Sequence, residues 1–424
     1  MSRVELSKCR PAEAGATSDS SGQFLLNRSL VAALLSLCAI AQLASILPKF
    51  AGRWRQLDFS QWYVEATALK EGINPYTTEL HALAARLGMH LPDIHPYYGS
   101  YPPTFLIGFE PLVGLSPATA YWIWLGLGAL ALVGILYLTV LSEEKFTSVE
   151  KVSLVALAIL FYPVIIHFRF AQVQLLLLFM LLGVARLLER KVDAAAGLLL
   201  AATILLKIYP FVMLIYLVIR QRWRALLYTG LGLLGGALIT VVIFGFSRSL
   251  PFLGRLLFVN GLMGSESVAG AITQVFQLFQ SPIAGHWVDT LRRIVIAFAE
   301  IGLVCLSIFA TLRPRAISCG IEPAFGLWLI VTVLLVNTSR NHYAVFFIPS
   351  MVQLSMATKY RMVSAWVIGL GAFAYLWATF VGHLTTRVAL SNVPLSHQLE
   401  GLHFLAAAAI YVVAFQLSRP VESV

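Results

Sequence analysis

Arg53-Trp54-Arg55-Gln56-Leu57-Asp58-Phe59-Ser60-Gln61-Trp62-Tyr63 begins where the first hydrophobic segment of the chain gives way to water. It sets one carboxylate, Asp58, at the head of a helix that lies on a membrane rather than through it. Phe59, Trp62, Tyr63, Ala66 and Leu69 recur at helical spacing, with Gln61, Glu65 and Lys70 elsewhere around the turn. Gly72 stops that helix, and Asn74-Pro75 makes the turn after it. Two readings of Asp58 stand side by side. A carboxylate held at membrane depth beside an aromatic floor is what an enzyme working on lipid-borne substrates needs. Asp58 followed three residues later by Gln61 also fits a capping box, in which the carboxylate satisfies free helix N–H groups.

Composition supplies the membrane. Of 424 residues, 59% are hydrophobic and 12% charged, and the mean hydropathy is +0.81. No soluble domain buries that much apolar surface, so the chain is a polytopic membrane protein. The formal charge of +10 does not point to nucleic acid, because most Lys and Arg fall in short loops between apolar runs and act as topology signals. Cys9, Cys38, Cys305 and Cys319 have no paired or metal-like spacing, and no disulfide is expected.

Residues 1–27 read as a polar, disordered cytosolic tail, and 28–418 as one integral-membrane domain. The run Leu30–Leu47 is an uncleaved first span. A first outer loop, 48–103, carries the Asp58 helix and a second short helix near Glu79–Gly88. The spacing of its His81, His90 and His95 fits no zinc pattern. Thr104–Leu115 is too short to span and reads as re-entrant. Spans follow at 118–141, 151–167, 171–188, 192–206, 208–219, 225–246, 287–312, 323–337, 342–357, 362–383 and 401–417, about twelve in all with the first. A second outer loop occupies 247–286, and 419–424 is a cytosolic tail. Lys145/Lys151, Arg190/Lys191, Arg220/Arg222/Arg224, Arg313/Arg315, Lys359/Arg361 and Arg419 then share one side. This places both termini in the cytosol and Asp58 on the periplasmic or equivalent face of the inner, plasma membrane. The two spans around Lys207-Ile208-Tyr209-Pro210 are short and broken, which is tolerated where helices line a cavity.

On that topology the outer span ends gather Asp58, Arg169, Gln172, Lys207, Arg340, Asn341 and His342. One acid facing several cations suits a phosphate-bearing substrate. The Arg forks and the Lys point charge would hold the phosphate, while the carboxylate would take a proton from a nucleophile. Taken singly, Arg169 and Arg340 are equally readable as snorkelling to the interface, and Lys207 as capping a helix C-terminus. Glu300, within an apolar span, is a second acid of interest, because intramembrane carboxylates are rarely idle. The chain has no Walker loop, dinucleotide turn, metalloprotease helix or Asp-x-Asp motif. Neither a metal nor a cofactor is expected.

Asp58-Phe-Ser-Gln-Trp-Tyr-Val-Glu-Ala-Thr-Ala-Leu-Lys-Glu-Gly-Ile-Asn-Pro-Tyr76 resembles the opening block of the family-87 glycosyltransferases, once grouped under "domain of unknown function 2029". These GT-C-type membrane enzymes include polyprenyl-phosphate-mannose-dependent mannosyltransferases. Tyr101-Pro-Pro-Thr-Phe105, Ala171-Gln-Val-Gln-Leu-Leu-Leu177 and Leu206-Lys-Ile-Tyr-Pro-Phe211 resemble later blocks in the same order. The resemblance implies an all-α, GT-C-like bundle with amphipathic helices in the first outer loop. It implies Asp58 as catalytic base and Gln172, Lys207 and His342 around the donor pocket. Arg340 and Arg169 join the candidate phosphate ligands, and Trp62, Tyr63, Tyr101 and Glu266 the candidate substrate contacts. Gln174, Ser265-Glu266-Ser267 and Asn341-His342 depart from the family pattern, which bears on the sugar and acceptor more than on the reaction class.

The expected function is therefore transfer of a hexose, mannose by resemblance, from a polyprenyl phosphate to a hydroxyl of a lipid-linked or cell-envelope glycan. Transfer would be inverting and metal-independent. The rival from another class is a transporter or flippase for a lipid-linked or anionic solute, using the same broken helices and cations with Glu300 as coupling acid.

Overall fold

A computed structural model describes residues 18–50, 57–91, 101–258, 267–278, 285–312, 321–336, 339–389 and 402–418. Among these residues every regular element is helical. The described residues begin with α1 (Ser18–Phe50), so residues 18–27, part of the stretch read as a tail, are helical. Helices α2 (Leu57–Lys70) and α3 (His81–Arg86) occupy the first outer loop, and α4 (Pro103–Val113) follows Tyr101-Pro102. Helix α5 (Pro117–Leu136) runs into a π-helical turn, Tyr137–Leu141. After it come α6 (Ser148–Leu160), α7 (Tyr162–Arg169), α8 (Gln174–Glu189) and α9 (Asp193–Leu206). A 3-10 turn at Tyr209–Val212 precedes α10 (Met213–Ile219) and α11 (Trp223–Phe244). The segment 247–286, read from sequence as loop, holds α12 (Phe246–Phe258) and α13 (Val268–Leu278). Helices α14 (Gly285–Leu312) and α15 (Pro323–Leu334) precede a second 3-10 turn, Asn341–Phe347. The described chain closes with α16 (Ile348–Lys359), α17 (Ala365–Ala389) and α18 (His403–Ser418).

Beside the expectation of about twelve spans, five helices among the described residues have the length and hydropathy to cross a bilayer: Asn27–Phe50, Pro117–Leu141, Trp223–Phe244, Trp287–Leu312 and Ala365–Thr385. A sixth arises if α6 and α7, bent by 49° at their junction, count as one. The other apolar segments fold as shorter helices, and the chain chemistry says why. Thr147 and Glu150 form a reciprocal capping box that starts α6. Its end at Phe161 is extended, and Pro163 then seeds α7. Lys207 likewise leaves α9 in extended conformation, with φ −159° and ψ 128°. Pro210 supplies no N–H to carry a regular helix onward. Apolar composition and helical continuity are thus separate properties in this chain, and the interruptions put polar side chains inside the protein.

The opposite ends of these helices turn tightly. Lys191, Gln221 and Arg361 all take left-handed backbone, with φ between 52° and 60°. Each closes a helix with the paired main-chain bonds of a Schellman turn, such as Met362 N–H to the Ala357 carbonyl at 2.8 Å. Ionic contacts tie these basic turns to neighbouring segments. Lys359 Nζ donates to Glu150 at 2.7 Å, Arg222 reaches Asp193 at 3.4 Å, and Arg220 pairs with Glu322.

Helix α9, whose end presents Lys207, lies against α11 through Gly197. A Cβ there would collide with the Ala225 carbonyl of α11. We expect Gly197→Val to force the two helices apart, at about 1–3 kcal/mol for an overpacked contact. A lower melting temperature in detergent checks this, and an unchanged melt would show that the two helices do not depend on that close approach.

Candidate active site

The first outer loop is anchored by aromatic packing. Phe59 meets Tyr121 at 5.2 Å between ring centroids. Trp62 meets Tyr101 at 5.0 Å, Phe105 at 5.3 Å and Trp124 at 5.5 Å. Most of these contacts are edge-to-face, the preferred geometry for quadrupolar rings. Trp62 is fully buried. The Tyr63 hydroxyl donates to the Leu115 carbonyl at 2.8 Å, so this side chain ties α2 to the loop after α4. Together the rings fix how α2 sits, and hence where Asp58 points.

Helix α2 opens at Leu57, which puts Asp58 inside its first turn rather than ahead of it. The Gln61 amide donates forward to Glu65 Oε1 at 2.7 Å. Asp58 is under the charges of Arg340 and Lys207, yet neither cation closes to an ion pair with it among the described residues. Enclosure by protein raises the carboxyl's pKa above its ordinary value of 3.8, and Arg340 and Lys207 hold that rise back.

Lys207 is the hub. Its Nζ donates to the Tyr101 hydroxyl at 3.0 Å, and that hydroxyl in turn donates to Gln172 Oε1 at 3.4 Å. Three tyrosine rings surround the ammonium, with centroids at 4.6 Å for Tyr101, 5.0 Å for Tyr343 and 5.7 Å for Tyr209. This is a cation held by π-faces and one hydroxyl. Tyr101 is fixed from behind, its carbonyl accepting from the Tyr76 hydroxyl at 2.9 Å. Gln172 is set by the turn after α7, where Ala171 takes left-handed backbone at φ 53°. The Ala171 carbonyl accepts from Trp124 Nε1 at 2.6 Å.

The late 3-10 turn completes the set. Arg340 precedes it in extended conformation and is exposed. His342 is buried, 4.9 Å from the Tyr343 ring and 6.3 Å from Phe170. Its electrostatic neighbours are Lys207, Arg340 and His167. The structure thus brings together Asp58, Tyr101, Gln172, Lys207, Arg340 and His342 from five separate parts of the chain. Other candidates stand apart. The Arg169 guanidinium lies 6.0 Å from the ring of neighbouring Phe170, and no described contact carries it to Lys207. Glu300 is half-buried on α14, with no described contact to this cluster. Glu266 and His95 lie outside the described residues. Among the described residues no group of three or more His, Cys, Asp or Glu could hold a metal ion.

Four residues that the sequence did not single out join the cluster: Glu65, His167, Tyr209 and Tyr343. Glu65 is fully buried and acts electrostatically on Tyr101. Its signal was available, since residues 58, 62 and 65 fall on one face of a helix. Gln174, also fully buried, has neither amide atom hydrogen-bonded among the described residues. Such orphaned polar groups cost about 1–3 kcal/mol and call for an occupant or a purpose.

A sequence model described as "Glycosyltransferase family 87" matches residues 100–338. No curated protein matches significantly. Among solved structures, the crystal structure of ArnT from Cupriavidus metallidurans in the apo state aligns at 15% identity, covering 94% of this chain and 78% of that one. The TM-score of that alignment is 0.34.

The Tyr101 hydroxyl is the joint between Lys207 and Gln172. We expect Tyr101→Phe to keep the ring and its cation–π contact but to lower stability by about 1.5–3 kcal/mol, the range for hydrogen bonds to charged groups. Tyr101→Ala, which also removes the ring, should fall further. Melting curves of the two variants check this. Equal melts for wild type and Tyr101→Phe would mean the hydroxyl is not structural.

Proposed function

The chain belongs to glycosyltransferase family 87, and on that premise we propose that it transfers a hexose, mannose by family resemblance, from a polyprenyl phosphate to a hydroxyl of a lipid-linked or cell-envelope glycan. One observation carries the site assignment: Asp58 lies under the charges of Lys207 and Arg340 without being ion-paired to either. A carboxylate kept off its neighbouring cations is free to accept a proton. Cations not consumed by that carboxylate are free to receive an anion.

In this reading the acceptor hydroxyl sits against Asp58 and attacks the anomeric carbon as the carboxylate takes its proton. The bond from that carbon to the phosphate oxygen breaks on the opposite face, which inverts the anomeric centre. Polyprenyl phosphate leaves as an anion into the cationic side of the site. Lys207 and His342 hold it, with Arg340 as the flanking charge. Tyr101 and Gln172 keep Lys207 in place, and Trp62 with Tyr63 forms the aromatic support on the Asp58 side. The phosphate-holding turns lie away from the basic, Schellman-closed turns, and the charge rule assigns those basic turns to the cytosol. The site then faces the periplasmic or equivalent side of the plasma membrane. Membership in a transferase family favours this over the transporter reading, which Glu300 alone would have to drive.

Two measurements test the assignment. Asn and Ser cap helices about as well as Asp, but neither accepts a proton from an alcohol at neutral pH. Loss of a general base costs about 10²–10⁴-fold in rate. We expect Asp58→Asn and Asp58→Ser to fold and melt like wild type while losing nearly all transfer from a polyprenyl-phosphate sugar, with Asp58→Glu retaining a trace. Asp58→Asn turning over near the wild-type rate would sink the assignment of the base.

The second is the pH profile. Asp58 is raised above 3.8 by burial and held back by Arg340 and Lys207. Activity should therefore fall as pH drops through that raised value, because the base becomes protonated. Lys207→Met removes one of the restraining charges, so the acid limb of kcat/KM should move to higher pH while the donor KM rises. An unmoved limb with unchanged donor affinity would place the phosphate elsewhere.

A further inference from the structure

The end of α5 remote from the Asp58 site carries a groove that plays no part in the reaction above. It has a volume of about 620 Å³ and lies between α5 with its π-turn, α8 and α9. Leu130, Val133, Phe179 and Gly183 are among the residues that line it, and the lining is apolar almost throughout. Leu130 is 69% exposed and Val133 59% exposed on a helix long and apolar enough to cross a bilayer. The groove therefore opens towards lipid rather than towards the site. Phe59 of α2 packs on Tyr121 near the other end of α5. Sixteen residues of helix separate Tyr121 from Tyr137, or about 24 Å at 1.5 Å per residue.

The groove is not uniformly greasy. At one end its wall is the π-turn Tyr137–Leu141, whose Leu138 and Leu141 both line the groove. Two cations are fastened to that turn: Arg186 lines the groove, and Lys151 sits beside it, outside the lining. Arg186 Nη2 donates to the Leu138 carbonyl at 2.6 Å, and Lys151 Nζ donates to the Leu141 carbonyl at 2.8 Å. Glu189 takes one Arg186 donor at 2.9 Å, which leaves further guanidinium N–H groups available from a side chain that carries five. Tyr137, lining the same end, is 58% exposed, and exposed tyrosines on spanning helices mark headgroup depth.

From this juxtaposition we infer that the groove binds an anionic phospholipid, with an acyl chain along α5 and α8 and the phosphate between Arg186 and Lys151. An apolar trough alone would accept any lipid chain. Two cations anchored where the trough reaches headgroup depth select for net negative charge. The π-turn explains why they are there: it supplies the carbonyls that hold both in place before any lipid arrives. Because α8 starts directly after Gln172 and Val173, a lipid braced against the far end of α8 steadies the helix that follows the site's glutamine turn. The binding itself does not rest on the transferase reading.

The test uses the full-length protein in detergent, titrated with short-chain phosphatidylglycerol or with phosphatidylcholine of the same chains. Bound lipid is counted by native mass spectrometry, and the thermal melt is followed in parallel. A net cation near a membrane surface is worth about fivefold in anionic-lipid binding, and Glu189 offsets one of the two here. Wild type should prefer phosphatidylglycerol by about that factor. Arg186→Gln with Lys151→Gln keeps neutral donors for the two carbonyls and should remove the preference. Val133→Trp, which plugs the trough from its exposed side, should lower retention of both lipids with both cations intact. Equal binding of the two lipids to wild type, or a preference that survives the double Gln variant, would overturn the proposal. So would displacement of phosphatidylglycerol by polyprenyl phosphate together with its loss in Lys207→Met, since the lipid would then be in the catalytic site. Loss of sugar transfer in Asp58→Asn with lipid preference retained separates the two readings.

Discussion

The ammonium of Lys207 sits half-buried with no ion pair among the described residues, and the rest of the site follows from how it is held. Taking an ion out of water costs several kcal/mol even after relaxation. An ion pair with Asp58 would be the direct compensation, but it would neutralise both partners. Instead Lys207 hydrogen-bonds the Tyr101 hydroxyl and faces the rings of Tyr101, Tyr343 and Tyr209. A desolvated cation–π contact is worth about 2 kcal/mol and a hydrogen bond to a charged group about 1.5–3 kcal/mol. The cage works against that cost. It stabilises the cation without spending the carboxylate.

That solution dictates sequence far from Lys207. Tyr101 has to be rigid, so its carbonyl is held by Tyr76 and its ring is packed on Trp62. Gln172 has to meet its hydroxyl, so the chain accepts a left-handed Ala171, a conformation that costs an alanine roughly 1–2 kcal/mol. Trp124 binds the Ala171 carbonyl and also joins the rings beneath α2. One aromatic network therefore supports both the acid side and the cationic side. Their spacing is set by packed rings rather than by an ionic contact that a substrate would have to break.

The sequence disclosed the parts of this that depend on periodicity and punctuation. Helix α2 was legible from Phe59, Trp62, Tyr63 and Ala66, and the break at Lys207 from Pro210. The spacing and order of basic loops identified the turns that the structure closes with left-handed Lys191, Gln221 and Arg361. Helices α12 and α13 were missed because the length rule for spans discards segments of 11–13 residues, even amphipathic ones. Span count depends on a related distinction: apolar runs say where chain is buried, not whether one helix continues through a proline. The tyrosine cage was illegible because Tyr209 and Tyr343 each look like ordinary core residues. Only the approach of Asn341–Phe347 to the break at Lys207 gives them a common purpose.

Glu65 shows where that logic leads. It shares a helical face with Asp58 and is fully buried with Gln61 on one oxygen. It also acts on Tyr101, the residue that holds Lys207. Burying a carboxyl group is costly unless it is hydrogen-bonded, and the Gln61 amide supplies that bond at 2.7 Å from the preceding turn of the same helix. The two carboxylates of α2 therefore meet different surroundings. Glu65 is tied to its own helix, while Asp58 lies under Arg340 and Lys207 with no ion pair to either among the described residues. A carboxylate left unpaired beside cations is the one with an oxygen to offer a proton.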